Sequence, residues 1–424
     1  FIFTIKTNQP NEVLSIYQVA AAYSPANLTI DWGDGSENTT IQHGASLGGT
    51  IAQHAYQKAG DYTVTIYSSN TDYSSRQIPQ LIFKGNPWLT AVLTPFPNMG
   101  AQNFDDRFYH CTQLATIPAD LFRHNSQARS FVQCFQNCSG LTSIPADLFK
   151  YNTNATNFLG CFRNCTGLTS IPTDLFKHNT LVTDFYACFQ DCSGLTSIPA
   201  ALFRNNELAE NFGYCFCDCS GLTSIPTDLF KYNTNATVFQ SCFSYCAGLT
   251  EIPVDLFKEN TNAANFFWCF RDCTGLTSVP AELFKYNTNA TNFVGCFLNC
   301  TGLTTLPTDL FKYNTNATDF TVCFYNCTGL TTVPANLFRY NEEATTFSYC
   351  FYDCTGLTTL PTDLFTYNTK VTDFSHCFSG CTKLELIEAI FPDPTTNANF
   401  FAGREMNFTG FCKNVGTAAT TQGT

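Results

Sequence analysis

Apolar residues return along most of this chain at one fixed spacing. In the stretch 155–165, Ala155, Phe158, Cys161, Phe162 and Cys165 fall at steps of three and four, the pattern of a single buried face on a helix of about three turns. The first cysteine of the motif C-F-x-x-C stands at 134, 161, 188, 215, 242, 269, 296, 323, 350 and 377, a strict step of 27 that defines ten copies. Gly167 and its equivalents follow where a helix end commonly takes a left-handed residue, so the helix is predicted to stop there. "LTSIP" and its variants then read as a short strand, β-branched and closed by a proline. Pro145 and Asp147 of "PADLFK" suit the opening of a further helical turn. An asparagine in every copy, from Asn125 to Asn368, closes it as a residue tolerant of left-handed backbone.

One copy alone cannot bury Leu141, Ile144, Phe149, Phe158 and Phe162, whereas stacked copies bury them in a shared core. A degenerate copy precedes the array, with Arg107 in place of the first cysteine, and another follows, with Arg404 and Phe408 replacing both; these read as caps. The predicted class is an α/β repeat solenoid, a short strand plus helices per 27-residue unit, over residues 76–412, with 413–424 as a flexible tail. Residues 1–75 lack the repeat. Their alternating runs "FIFTIKT" and "YTVTIYS" predict an N-terminal all-β sandwich domain.

Composition narrows the function. The net charge of -12 with only 13% charged residues argues against a nucleic-acid or anionic-membrane partner. The longest apolar stretches, such as 17–23, fall far short of the roughly 20 residues of a membrane span, so a lipid anchor has a place only outside this chain. With 42 Phe against 2 Met, the core is built from one repeated aromatic.

Of the 23 cysteines, twenty form the ten C-x-x-x-C pairs. Helical positions four apart hold their Cβ atoms about 5–6 Å apart, whereas a disulfide wants about 3.8 Å, which favours buried thiols. Inter-repeat disulfides and metal binding stay open as alternatives, with Cys215, Cys217 and Cys219 the densest group. The six histidines are scattered and form no triad. Lys or Arg follows most members of the aspartate column (Asp120, Asp147, Asp174 and onward) by three residues, as surface charge pairs do. Asp31, Asp34, Ser36 and Glu37 could gather oxygen ligands for Ca²⁺, although Asp-Gly is first a turn signal. No enzyme activity and no cofactor are expected.

Identical columns serve packing, so ligand preference belongs where copies differ. One variable band carries Tyr186, Tyr214, Tyr245, Phe267, Trp268, Tyr325, Tyr349, Tyr352 and His376, aromatics able to stack on sugar rings or anchor a protein. A second, after "LFK", carries His124, Tyr151, His178, Asn205, Tyr232, Glu259, Tyr286, Tyr313, Tyr340 and Tyr367, a tyrosine row that suits either a multivalent strip or a seal on the lattice.

The phrase "LTSIPADLF" resembles the leucine-rich repeat, and C-F-x-x-C-x-x-L resembles bacterial surface repeats of the BspA-like family, over about residues 76–412. Trp32, Gly33, Asp34 and Gly35, with His54, Tyr56, Gly60, Tyr62 and Val64, resemble a PKD-type immunoglobulin-like domain. These resemblances imply an extracellular protein of the bacterial cell surface, outer-membrane anchored or secreted, that adheres to a protein or glycan. Glycan capture for a polysaccharide uptake system is the alternative.

Overall fold

The computed structural model describes residues 1–18, 22–47, 49–70, 75–76, 78–384 and 407–411. Arg404, Cys412 and the tail 413–424 lie outside the described residues. The chain divides into two compact units, Phe1–Leu195 with Ala201–Asn206, and Thr196–Ala200 with Glu207–Thr424.

The first unit opens with ten strands: β1 (Ile2–Thr7), β2 (Glu12–Gln18), β3 (Ala22–Tyr23), β4 (Leu28–Asp31), β5 (Thr39–Ile41), β6 (Ser46–Leu47), β7 (Thr50–Tyr56), β8 (Gly60–Ser68), β9 (Leu81–Ile82) and β10 (Leu89–Val92). One sheet runs β10-β1-β8-β4-β5, a second runs β7-β2-β9, and β3 pairs with β6. Every pairing is antiparallel. Alternation works here as the sequence pattern requires. Phe3 and Ile5 of β1 and Val64 and Ile66 of β8 point inward and are buried. Strands β9 and β10 come from beyond residue 75 and complete the two sheets, so residues 81–92 belong to the sandwich and also lead into the first coil.

The W-G-D-G segment is an ordered corner. Trp32 is buried, its Nε1 donates to Thr39 Oγ1 at 3.0 Å, and its ring stacks on His54 at 4.9 Å. Gly33 holds φ +76 against the carbonyl of Thr63, leaving no room for a Cβ. Asp34 takes Ser36 on Oδ1 and His54 Nε2 on Oδ2 at 2.7 Å. Burial alone would raise this carboxyl, but those hydrogen bonds outweigh it and hold Asp34 at about 2. Of the carboxylates proposed for Ca²⁺, Asp34 is thus engaged by neighbouring donors, and Asp31 Oδ1 accepts from the Gly33 N–H.

The repeats overturn the expected helices. Among the described residues no helix is formed, and each 27-residue copy is a coil of successive tight turns. Within the coil at 158–165, Cys161, Arg163 and Cys165 donate to the carbonyls of Phe158, Gly160 and Phe162, three residues back. The intervening amides of Phe158, Gly160, Phe162 and Asn164 donate instead to Asp184, Tyr186, Cys188 and Gln190 of the next coil. A helix would spend all these donors inside its own segment. Two residues per coil, Gly160 at φ +58 and Asn164 at φ +57, take the positive φ that the third position of a type II turn demands.

Three further columns are corrected. "LTSIP" forms no strand in the described residues; isolated bridges appear in that column at Thr116, paired with Ala91, and between Thr332 and Thr359, and most parallel bridges lie one residue before the phenylalanine column, as at Ser130, Asn157 and Asp184. Gly167 and its equivalents do not have positive φ. They are glycines because the preceding coil passes too close, a Cβ on Gly275 lying 2.6 Å from the Ala247 carbonyl. The asparagines likewise are not left-handed. Asn152 and Asn314 are fully buried, and Asn314 Nδ2 donates to Phe284 O at 3.0 Å and Asn287 O at 2.8 Å of the preceding coil.

Within each unit the core is stacked phenylalanine. In the first, Phe122, Phe149 and Phe176 form one column at 5.8 and 6.1 Å, and Phe149 meets Phe158 edge-on at 4.7 Å. In the second, Phe257, Phe284, Phe311, Phe338 and Phe365 repeat that column. Burying each such ring is worth about 1.5–3 kcal/mol. Where the first cysteine would stand, Arg107 is fully buried and donates to Leu81 O of β9 and to Asn103 O, fastening the first coil to the sandwich. Burial lowers its guanidinium to about 10.

Candidate functional site

The described cysteines line the coil interiors and are buried. Cys165 Sγ donates to Phe135 O and Cys300 Sγ to Phe270 O, each at 3.1 Å, a contact that a thiol makes and a disulfide sulfur does not. Cys134, Cys161, Cys296 and Cys323 are free and buried. Burial pushes Cys111 and Cys165 up to about 12, so neither supplies a thiolate near neutral pH. Among the described residues, no group of three His, Cys, Asp or Glu is placed to hold a metal ion.

The aspartate column pairs along the surface as its spacing suggested, with Asp147–Lys150 at 3.3 Å and Asp309–Lys312 at 3.3 Å. Such exposed pairs contribute little stability.

The variable aromatics stand one, two, five or six residues past the column phenylalanine. Several occupy the positive-φ positions: Tyr214 at 56°, Tyr245 at 61°, Trp268 at 55°, Tyr349 at 54° and His376 at 54°. A bulky side chain there is a backbone outlier, and other copies place Gly160 or Ser241 at the same point.

In the second unit the structure gathers them into two clusters. Phe267 stacks on Trp268 at 4.3 Å, and the Arg271 guanidinium lies between Trp268 and Tyr245, 4.4 and 5.0 Å from the ring centres. Arg271 Nε also donates to Asp272 at 2.8 Å. The Trp268 indole covers Gly295 of the next coil, filling the space a side chain would take, and its Nε1–H is buried without an acceptor. Farther on, Tyr325 stacks on Tyr352 at 4.9 Å, Tyr352 leans on Tyr349 at 5.3 Å, and Tyr349 stacks on His376 at 4.6 Å. Four rings from three coils thus make one half-buried platform. Tyr214 Oη accepts from Gln240 Nε2 at 3.3 Å, and Tyr186 belongs to the first unit.

Arg271 and Gly295 escaped the sequence reading. The arginine is one of several residue types in its column, and the glycine matters only because of the indole above it.

The second band is not sealed into the lattice. Tyr151, Tyr286, Tyr313, Tyr340 and Tyr367 are 38–41% exposed, with cations lodged between successive rings. Lys285 donates to Glu282 and Lys312 to Asp309, and these hydrogen bonds raise the pKa values of both ammonium groups.

Coils stacked by backbone pairing, preceded by a region of antiparallel sheets and carrying clustered aromatics at their variable positions, define a repeat solenoid. No protein-family model matches the chain, and no curated protein matches it. Among solved structures, it is similar to the Toll–Spatzle complex of Drosophila (17% identity over 64% of this chain, TM-score 0.30) and its glycosylated form (17% over 76%, TM-score 0.33). The leucine-rich repeat domain of the type III effector XCV3220 (XopL) also matches, at 14% identity over 58% of this chain and 71% of that one, with a TM-score of 0.25. The chain spans about half the length of the Toll structures, 42% and 54%. Similarity at this level transfers no residue, ligand or role. No described helix is long and apolar enough to cross a membrane.

Proposed function

We propose that this protein is a non-enzymatic binding protein of a bacterial cell surface that adheres to an extracellular protein or glycan through its coils. The observation that carries this reading is the platform of Tyr325, Tyr349, Tyr352 and His376, where half-exposed rings stack across coils and two stand on outlier backbone. Backbone strain of this kind tends to cluster at functional sites. Preformed aromatic rings bind at low entropic cost because few torsions remain to be fixed. The leucine-rich-repeat and PKD-like resemblances support the surface setting.

A panel of immobilised extracellular-matrix proteins and glycans tests it. The intact protein should bind at least one member, and the double variant Tyr349→Ala/Tyr352→Ala should bind at least about tenfold more weakly with an unchanged melting temperature. Undiminished binding by that variant contradicts the platform. A second reading, glycan capture for polysaccharide uptake, is favoured by the exposed tyrosine row.

A further inference from the structure

That row carries more than the platform does about ligand class. We infer that Tyr286, Tyr313, Tyr340 and Tyr367 form a track for a neutral linear glycan, an inference that rests on the reading of this chain as a binding protein and names what it binds. Each tyrosine lies two residues past a core phenylalanine, and those phenylalanines stack at 6.1, 6.0 and 6.1 Å along the row. The rings are therefore displayed at a fixed step, one per coil. An occupant that repeats along its own axis makes the same contact again at each step, and linked weak contacts add up to useful affinity.

The charges select among such polymers. Lys285 lies 5.5 and 5.9 Å from the Tyr286 and Tyr313 rings, Lys312 lies 5.7 Å from both Tyr313 and Tyr340, and Arg339 lies 6.0 and 4.8 Å from Tyr340 and Tyr367. Lys285 pairs with Glu282 at 2.9 Å and Lys312 with Asp309 at 3.3 Å. Along the row, four cations (Lys285, Lys312, Arg339, Lys370) stand against five carboxylates (Glu282, Asp309, Glu342, Glu343, Asp363), so the track carries no excess of positive charge. An anionic polymer gains nothing from it. A neutral sugar does: its apolar face lies on the tyrosine, and its hydroxyls meet ammonium donors and carboxylate acceptors.

The rings are not needed to build the coil. Glu259 occupies the same column, and its coil keeps the buried bonds from Asn260 Nδ2 to Phe230 O and Asn233 O at 3.1 and 2.8 Å. Asn205 occupies it in the first unit. Tyr313→Asn/Tyr340→Asn is therefore a variant that the fold already tolerates.

Titration calorimetry of the whole protein with cello-, manno- and xylo-oligosaccharides of increasing length, and with heparin as the anionic probe, tests the track. One neutral series should bind, more tightly with each added sugar until the four rings are covered, and with little dependence on salt. Tyr313→Asn/Tyr340→Asn should weaken it about a hundredfold, at about tenfold per ring, while Tyr313→Phe/Tyr340→Phe stays within a few-fold. The track is overturned if no neutral series binds, if only heparin binds and salt abolishes it, or if the asparagine variant binds as well as wild type. Neutral binding lost only in Tyr349→Ala/Tyr352→Ala overturns the track while leaving the broader reading intact. A protein ligand bound in the panel assay without any oligosaccharide does the same.

Discussion

The sandwich and the coils bury rings and pair backbone by opposite means. In the sandwich, strands pair laterally and side chains alternate, so Val64 and Ile66 face the core while Thr63 and Thr65 do not. In the turn segment of each coil, as at 158–165, every second amide reaches forward to the next copy and the others close turns upon themselves. Strand alternation is a property of one segment and can be read from it. A spacing of three and four is less diagnostic, because a run of tight turns brings residues back to the interior at the same intervals as a helix does.

The sharpest way to break this contrast is through the buried asparagines. Asn314 Nδ2 gives Phe284 O and Asn287 O a second, cross-coil hydrogen bond beside those from the Asn287 and Ala290 amides, so Asn314→Leu should destabilise the protein by about 1–3 kcal/mol. Asn314→Asp should be worse, since a carboxylate would face those two carbonyls. Chemical denaturation measures both, and a cost below about 1 kcal/mol would mean the ladder is not a principal support.

A smaller effect should appear in the sandwich alone. Asp34 is lowered from 3.8 to about 2 on folding, so its contribution is complete above about pH 4 and is lost as pH falls through about 2. Discounted for solvent screening, this is about 1 kcal/mol. Asp34→Asn should therefore lower stability at neutral pH and match wild type at pH 2; an equal loss at both pH values would assign the effect to packing.

The smallest effect has the opposite sign. Val322 is β-branched at φ 51°, a costly conformation, and it lies on the turn face rather than in the core. Val322→Gly should leave stability unchanged or raise it by up to about 1 kcal/mol in thermal unfolding. A clear loss would show that its side chain packs more than its backbone strains.

Much of the coil interior was legible in the sequence. Leu141, Phe149, Phe158, Phe162 and both cysteine columns are buried where the repeat required. What the period could not tell is how the backbone returns inward. One clue was present: the residue before the second cysteine is Asn137, Asn164, Asp191, Asp218, Asp272, Asn299, Asn326 or Asp353 in most copies, side chains that tolerate left-handed backbone, and every one has positive φ. The invariant asparagine misled because a turn residue and a buried amide look alike in sequence. Its lack of exchange with Asp or Gly distinguishes the ladder from the true left-handed columns. The aromatic candidates were legible as residues but not as clusters. Stacking of Tyr349 on His376 depends on the coil step, which no single copy specifies.

Far-UV circular dichroism of the intact protein tests the central claim most directly. Coils closed by turns and paired forward predict a spectrum without the paired minima of α-helix. A helical signal amounting to about a quarter of the residues, as helices of about three turns in every copy would give, would contradict the account.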